Sequence, residues 1–382
     1  MSAEVLIVSP VIAPARGGLA DHSLRLAQEL AAKMRVAVLT SRGARGPEGF
    51  EVLPRIGDWH AGAALTEAIA SSAPNATILW QYVPHAYGRG GVNLAVPRVM
   101  RTLRQRGRRQ VVLAHEIAAP FSPWPHRCLY ALSHRYQWRT LRSSVQGLGL
   151  STEAWFEVLR QREPALAPKL FLAPSPATIS VCAWSGELAT LWRAAHGWEA
   201  TTRVLAYFGT LSRTKQFAWI LRAWQEAQEP GAPVGLAIIG DRPRFRCPAH
   251  LQALFRPLGF LPAEEVSRAL RAADVLALPY ADGVSERRTT FMAGLAHDLA
   301  VVTTLGPSTG PNLRQAAFFR ASGAGEPSEF ARHVKELLRD PGQRRRIGER
   351  GGTAYREAYD WSRLVATLTD RLGSGPAPQS RD

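Results

Sequence analysis

The sequence predicts an α/β protein built from two Rossmann-like, doubly wound parallel-sheet domains facing across a cleft. Three observations predict it. Short apolar, β-branched runs alternate with longer amphipathic stretches along most of the chain; such alternation makes βαβ units and a parallel sheet. The alternation pauses between Phe171 and Thr202 and then restarts. A chain of 382 residues also has room for two domains at about 100–200 residues each.

Each element follows from a local pattern. In the first half, apolar runs at 5–9, 36–40, 78–83, 111–116 and 147–151 read as strands, with amphipathic stretches at 21–33 and 92–106 as helices between them. Right-handed βαβ crossovers assemble such units into an open sheet. The turn-rich segment FLAPSP at 171–176 and a polar, Trp-containing stretch up to Thr202 separate the halves. Strands resume at 204–209, Val234–Gly240, 275–279 and 300–304, with helices at Phe217–Glu226 and Ala263–Ala272. Residues 328–339 and 361–372 also read as helices. We expect a first domain over 1–180, a second over 181–355, and a C-terminal helical segment at 356–372 that rejoins the first. The tail 373–382, GSGPAPQSRD, has the composition of a disordered end.

Composition narrows the partners. There are 47 Lys and Arg against 31 Asp and Glu, a formal charge of +16, which favours anionic partners such as phosphorylated ligands, anionic lipid or nucleic acid. Cys128, Cys182 and Cys247 are far apart and form no CxxC pair, so neither a disulfide framework nor a zinc site is expected, as suits a reducing cytosol. The N-terminal apolar run is broken by Ser9 and Pro10 and reads as a strand rather than a secretory signal. No run of 18 apolar residues occurs, so any membrane contact is expected to be peripheral, at the cytoplasmic face.

In doubly wound sheets, ligands bind beyond the carboxyl ends of the strands, and four segments put chemistry there. In SPVIAPARGGLADHS, Gly17 and Gly18 enter a helix whose first amides offer donors to a phosphate; a plain strand-to-helix turn explains the glycines equally well. In VVLAHEIAAPF, His115 ends an apolar strand, either as a ligand group or as a satisfied polar residue. In VLAYFGTLSRTKQF, a strand delivers Gly209, and Arg213 and Lys215 follow on the loop into a helix. Two cations beside a helix start make a diphosphate site, or else a solvated charged loop. In the fourth segment an apolar strand ends at Pro279, and a loop carries Ser285, Glu286, Arg287 and Arg288. A helix then begins near Thr289 and Thr290, which offer hydroxyl and amide donors, while the arginines would offset charge on a leaving diphosphate.

Together these segments resemble the GT-B glycosyltransferases, in particular the retaining enzymes of family 4. Gly17–Gly18 match the family's N-terminal glycine loop and His115 its strand-end histidine. Gly209 to Lys215 match in part its phosphate loop, with Thr210 at the usual Arg position. Ala273–Pro279 match its ADV strand, 298–304 its later strand, and Trp361–Ser362 its C-terminal helix start. The family's Glu-x7-Glu pair has no clear counterpart; the count places Ser285 and Ala293 there, with Glu286 one residue away.

The resemblance implies sugar transfer from a nucleoside-diphosphate sugar to a hydroxyl of a glycan or lipid-linked sugar, with retention, in polysaccharide or glycoconjugate assembly. It implies His115, Lys215 and Arg288 as the catalytic set. Gly17, Gly18, Gly209, Arg213, Lys215, Ser285, Glu286, Arg288, Thr289 and Thr290 would bind the donor. Asp21, Gln81, Tyr82 and His85 would face the acceptor; amide and aromatic groups suit sugars, and Tyr87 follows on the same segment. No metal cluster and no cofactor beyond the nucleotide-sugar donor are expected. Arg101, Arg104, Arg106, Arg108 and Arg109, with Arg135, Arg139 and Arg142, form either a solvated face or one toward anionic lipid. Two other functions stay open: a nucleotide-sugar epimerase on the same fold, and a non-catalytic anion or nucleic-acid binder. No interleaved basic and aromatic motif favours specific nucleic acid.

Overall fold

The computed structural model describes residues 3–373, apart from 13, 14, 16, 47, 122 and 213. The tail from 374 onward, expected to be disordered, lies outside them. The described residues form two compact units, one within 3–151, 155–175 and 361–373, the other within 152–154 and 176–360. The crossover thus comes at Ser175 rather than near 180. The return comes at Trp361 rather than 356, because the π-helical turn Tyr355–Tyr359 packs on the second unit's core.

The first unit is a seven-stranded sheet in the order β3-β2-β1-β4-β5-β6-β7, parallel throughout. Its strands are β1 (Val5–Val8), β2 (Val36–Ser41), β3 (Glu51–Ile56), β4 (Thr77–Tyr82), β5 (Gln110–Ala114), β6 (Gly147–Leu150) and β7 (Leu170–Leu172). The helices are α1 (Gly18–Ala31), α2 (Gly62–Ser72), α3 (Ala95–Gln105), α4 (Pro125–Arg142) and α5 (Glu153–Arg162), whose first two residues, Glu153 and Ala154, belong to the second unit. Successive side chains of a strand leave on opposite faces. Leu6 and Val8 therefore join the core with Leu65, Val99 and Leu141 of α2, α3 and α4. Val5 and Ile7 face Leu26 and Leu30 of α1, together with Trp361, Leu364 and Leu368. Fully burying each of these large side chains contributes about 1.5–3 kcal/mol, as an upper bound.

The second unit is a six-stranded parallel sheet in the order β10-β9-β8-β11-β12-β13. Its strands are β8 (Arg203–Gly209), β9 (Val234–Gly240), β10 (Phe255–Gly259), β11 (Val275–Leu278), β12 (Ala300–Leu305) and β13 (Arg320–Gly323). Its helices are α6 (Gly186–Ala195), α7 (Phe217–Glu226), α8 (Ala263–Ala272), α9 (Thr289–Ala296), α10 (Pro311–Gln315), α11 (Pro327–Arg339) and α12 (Pro341–Ala354). The last helix, α13 (Trp361–Gly373), belongs to the first unit. Asp274, just ahead of β11, accepts from the Val204 amide at 2.8 Å and pairs with Arg193 and Arg344, each at 3.1 Å. One carboxylate thereby ties β8, α6 and α12 to the start of β11.

Each sheet reverses its strand order once, between β1 and β4 and between β8 and β11. Those reversals open crevices at the strand ends. At the second, β8 and β9 finish side by side on Gly209 and Gly240, with φ of +128° and +120°. A Cβ on Gly240 would overlap the carbonyl of Gly209. Gly240→Ala is therefore expected to destabilise the second unit by about 3 kcal/mol, since neither the overlap nor the positive φ can relax cheaply. A chemical-denaturation midpoint that does not fall would refute this.

Candidate functional site

The loop after β8 is stitched to the loop after β11. Gln216 N donates to the Pro279 carbonyl at 3.0 Å, and Ala281 N donates to the Thr214 carbonyl at 2.8 Å. Between them Lys215 and Tyr280 form an antiparallel bridge. This fixes the backbone of Lys215 and sends its side chain over the end of β8. A Cβ on Gly209 would strike the Lys215 ammonium and would lie 3.1 Å from Cγ2 of Thr290. Glycine at 209 thus leaves open backbone between a cation and the first turn of α9.

The electrostatics there are unbalanced toward positive. Among the described residues the Lys215 ammonium has no hydrogen bond or ion pair. Burial, and then the charge of Arg288, push its pKa down to about 8, with Asp241 pulling the other way. Asp241 itself follows β9 and accepts from the Leu211 amide at 2.8 Å. Arg288 lies over the Tyr280 ring, 4.6 Å from its centre, and donates through Nη2 to Asp282 at 2.5 Å. Its buried Nε has no hydrogen-bond partner among the described residues. Tyr280 is buried; its hydroxyl shares a 2.8 Å hydrogen bond with Thr290, and burial pushes its pKa up to about 12. It is therefore a neutral prop for Arg288 and Thr290. Arg288 is also the N-cap of α9 but makes no side-chain cap, so the first amides of the helix, at Thr289 and Thr290, are left for another acceptor.

The structure thus brings together Gly209, Lys215, Arg288, Thr289 and Thr290. Arg213 lies outside the described residues. Ser285 is fully buried, and its hydroxyl has no partner among the described residues. Glu286 turns elsewhere: it accepts from the Glu153 amide at 3.2 Å, while Glu153 accepts from the Asn312 amide at 2.7 Å. Burial pushes the Glu286 carboxyl up to about 7. Tyr280, Asp282 and Asp241 complete the site and were not singled out in the sequence, although each stands directly after a strand end or on the loop beyond it.

In the first unit, Gly17 is the N-cap of α1 with φ +134°, and a Cβ on Gly17 or Gly18 would meet nothing within 4 Å among the described residues. Of the two, only Gly17 needs to be glycine for its backbone. Asp21 stands exposed in the first turn. His115 follows β5 half-buried; its Nε2 meets Gln81 Oε1 at 2.8 Å and its Nδ1 meets the Ser175 hydroxyl at 3.4 Å. His22 packs edge-on to His115 at 4.6 Å and lies 5.1 Å from Trp361. Burial, then the neighbouring His115, hold His22 well below the usual imidazole range, so it is neutral. Its Nδ1 and the Gln81 Nε2 are buried without hydrogen-bond partners among the described residues. His85 is exposed, edge-on to His134 at 4.9 Å.

Tyr82 does not join this group. It sits in the core with Trp138 and Tyr87, because the strand's alternation sends it and Gln81 to opposite faces. Tyr87 is buried too, donating to the Gln81 carbonyl at 2.8 Å. Both tyrosines therefore support the strand and are not presented to an acceptor. Among the described residues no three His, Cys, Asp or Glu side chains converge as a metal site, and no helix is long and apolar enough to cross a membrane.

This geometry can be set beside known proteins. Residues 202–340, about a third of the chain, match the family model described as glycosyl transferases group 1. No curated protein matches the sequence. Among solved structures, HepE of Anabaena in complex with UDP and glucose superposes with a TM-score of 0.71 at 14% identity, covering 98% of this chain and 100% of that one. Sucrose-phosphate synthase from Thermosynechococcus elongatus gives 0.68 at 15% identity, over 96% and 97%. WaaG, a glycosyltransferase involved in lipopolysaccharide biosynthesis, gives 0.62 at 16%, over 97% and 100%. The chain has the GT-B fold, and its residues 202–340 match the model of the group 1 glycosyl transferases.

Proposed function

We propose that this protein transfers a sugar from a nucleoside-diphosphate sugar to a hydroxyl of a glycan or lipid-linked sugar. One observation carries the reading: Lys215, Arg288 and the uncapped start of α9 converge beside the open backbone of Gly209, at the strand-order reversal of the second unit. Two cations and free amides form a receptor for a diphosphate. In sugar transfer the diphosphate is the leaving group, and the largest catalytic contribution is stabilising the charge that builds on it. Solved neighbours of this fold in complex with UDP and UDP-glucose support the donor class.

In this mechanism Lys215 and Arg288 hold the departing diphosphate, with Tyr280 and Asp282 keeping Arg288 in place. Thr289 and Thr290 contribute amide and hydroxyl donors. In the first unit we assign sugar recognition to His115, fixed by Gln81, and donor binding to Gly17 and Gly18. Retention of anomeric configuration and a role in polysaccharide or glycoconjugate assembly are part of the proposal.

A panel of UDP-, GDP- and ADP-sugars tests it by thermal shift. A true donor at about 100 times its Kd adds about 2.7 kcal/mol, raising Tm by several degrees. Product should appear only when an acceptor is added. If no nucleotide sugar shifts Tm, the donor reading falls; conversion of the donor without any acceptor would move the assignment to an epimerase.

A further inference from the structure

The outward face of α4 is apolar. Leu129, Leu132 and Tyr136 are 61%, 55% and 51% exposed, and Phe121 and Trp124 just ahead of the helix are 57% and 61% exposed. Leu129, Leu132 and Tyr136 follow a helical spacing of three and four and form one stripe. The opposite stripe, Ala131, His134, Trp138 and Leu141, is buried in the first unit. A monomeric protein seldom leaves so contiguous a row of large apolar groups in water.

The charges around the stripe have one sign. Residues 117–152 contain no Asp or Glu, while Arg135 and Arg139 are exposed beside the stripe and Arg127 is exposed in the first turn of α4. Arg135 lies 4.1 Å over the Phe121 ring and donates to the Ala119 and Ala131 carbonyls, clipping the Phe121 segment to the helix. The sequence-based basic face is narrower than expected. Arg106 pairs with Glu67 and Arg142 with Glu163. Arg104, Arg108 and Arg109 donate to backbone carbonyls of the first unit.

We propose that α4, with Phe121 and Trp124, lies in the headgroup layer of an anionic bilayer. Its apolar stripe would enter the acyl boundary, and its arginines would reach to lipid phosphates. The composition fits: an amphipathic helix of 18 residues too polar to span, with aromatic residues at the boundary and cations on its flank. An anionic surface matches the uniform positive charge, whereas a second copy of this chain would set arginine against arginine. The inference goes beyond the sugar-transfer reading and does not depend on it, because lipid binding needs no nucleotide sugar.

Co-sedimentation of the full chain with vesicles tests it, comparing pure phosphatidylcholine with vesicles containing about a third phosphatidylglycerol. The wild type should partition at least about tenfold more strongly onto the anionic vesicles. A Trp124→Ser, Leu129→Ser, Leu132→Ser variant should lose about tenfold or more of that partition with an unchanged thermal midpoint, since all three side chains are exposed. Arg127→Gln with Arg139→Gln should erase the preference for the anionic lipid. Absence of wild-type binding, equal binding to both vesicles, or full binding by the triple variant would overturn the proposal. So would a dimer in sedimentation velocity that the triple variant dissociates, which would give the face to a second copy.

Discussion

Lys215→Met is expected to lower the transfer rate about 10²–10³-fold, with an intact fold. Removing one donor preorganised toward developing charge costs this much in comparable electrostatic sites. The Lys215 ammonium has no hydrogen bond or ion pair to lose among the described residues, only the Tyr207 ring 5.7 Å away, and methionine keeps most of the apolar stem. A pH series makes the prediction sharper. The Lys215 pKa is pushed down to about 8, so the free enzyme loses its cation as pH rises through 8, and kcat/KM should fall there. A bound diphosphate favours the ammonium, so the fall in kcat should lie at higher pH. Stability should move the opposite way. Between about 8 and about 10.4 the unfolded chain holds the proton that the folded chain has lost, so the Lys215 contribution to stability improves as pH rises. The methionine variant should lose both trends together. Wild-type turnover in this variant, or an alkaline limb that survives the substitution, would remove Lys215 from the site.

The sequence shows the fold most clearly where strands are buried on both faces. The interior strands β1, β2, β4, β5, β6, β8, β9, β11 and β12 are near-continuous apolar runs, as expected of parallel strands covered by helices. The four it does not reveal, β3, β7, β10 and β13, are the two edges of each sheet. Of these, β7 has only three residues and β3, β10 and β13 are of mixed polarity; β3 and β10 each carry a proline, Pro54 and Pro257, which an edge tolerates and an interior ladder does not. The site divides in the same manner. Gly209, Lys215, Arg288 and Thr290 are legible because strand, loop and helix succeed one another locally. Tyr280 is not, because a buried tyrosine reads as core until the loop after β8 is seen to return against it. Tyr82 errs in the other direction. A strand buried on both faces has no polar alternation to set its phase, so nothing in the sequence says that Gln81 meets His115 while its neighbour enters the core.

Arg288→Met should match the loss at Lys215, about 10²–10³-fold in kcat/KM, and Arg288→Lys should recover only part of it. The reason is shape. The guanidinium rests on the Tyr280 ring while its Nη2 holds Asp282 at 2.5 Å, leaving its buried Nε without a partner among the described residues. A lysine supplies the charge but not the flat face or the divergent donors. The fold should survive, because Asp282 keeps Arg287 at 3.5 Å and the Ser308 hydroxyl at 3.0 Å. The two cations are also coupled: Arg288 is one of the causes that depress Lys215. Arg288→Met should therefore move the alkaline limb of kcat/KM above pH 8, since losing a positive neighbour favours the ammonium. The double variant should lose less than the product of the two single losses, as expected of groups acting on one diphosphate. Strictly multiplicative losses with an unmoved limb would mean that Lys215 and Arg288 serve different ligands, and the shared site would be wrong even if both residues matter.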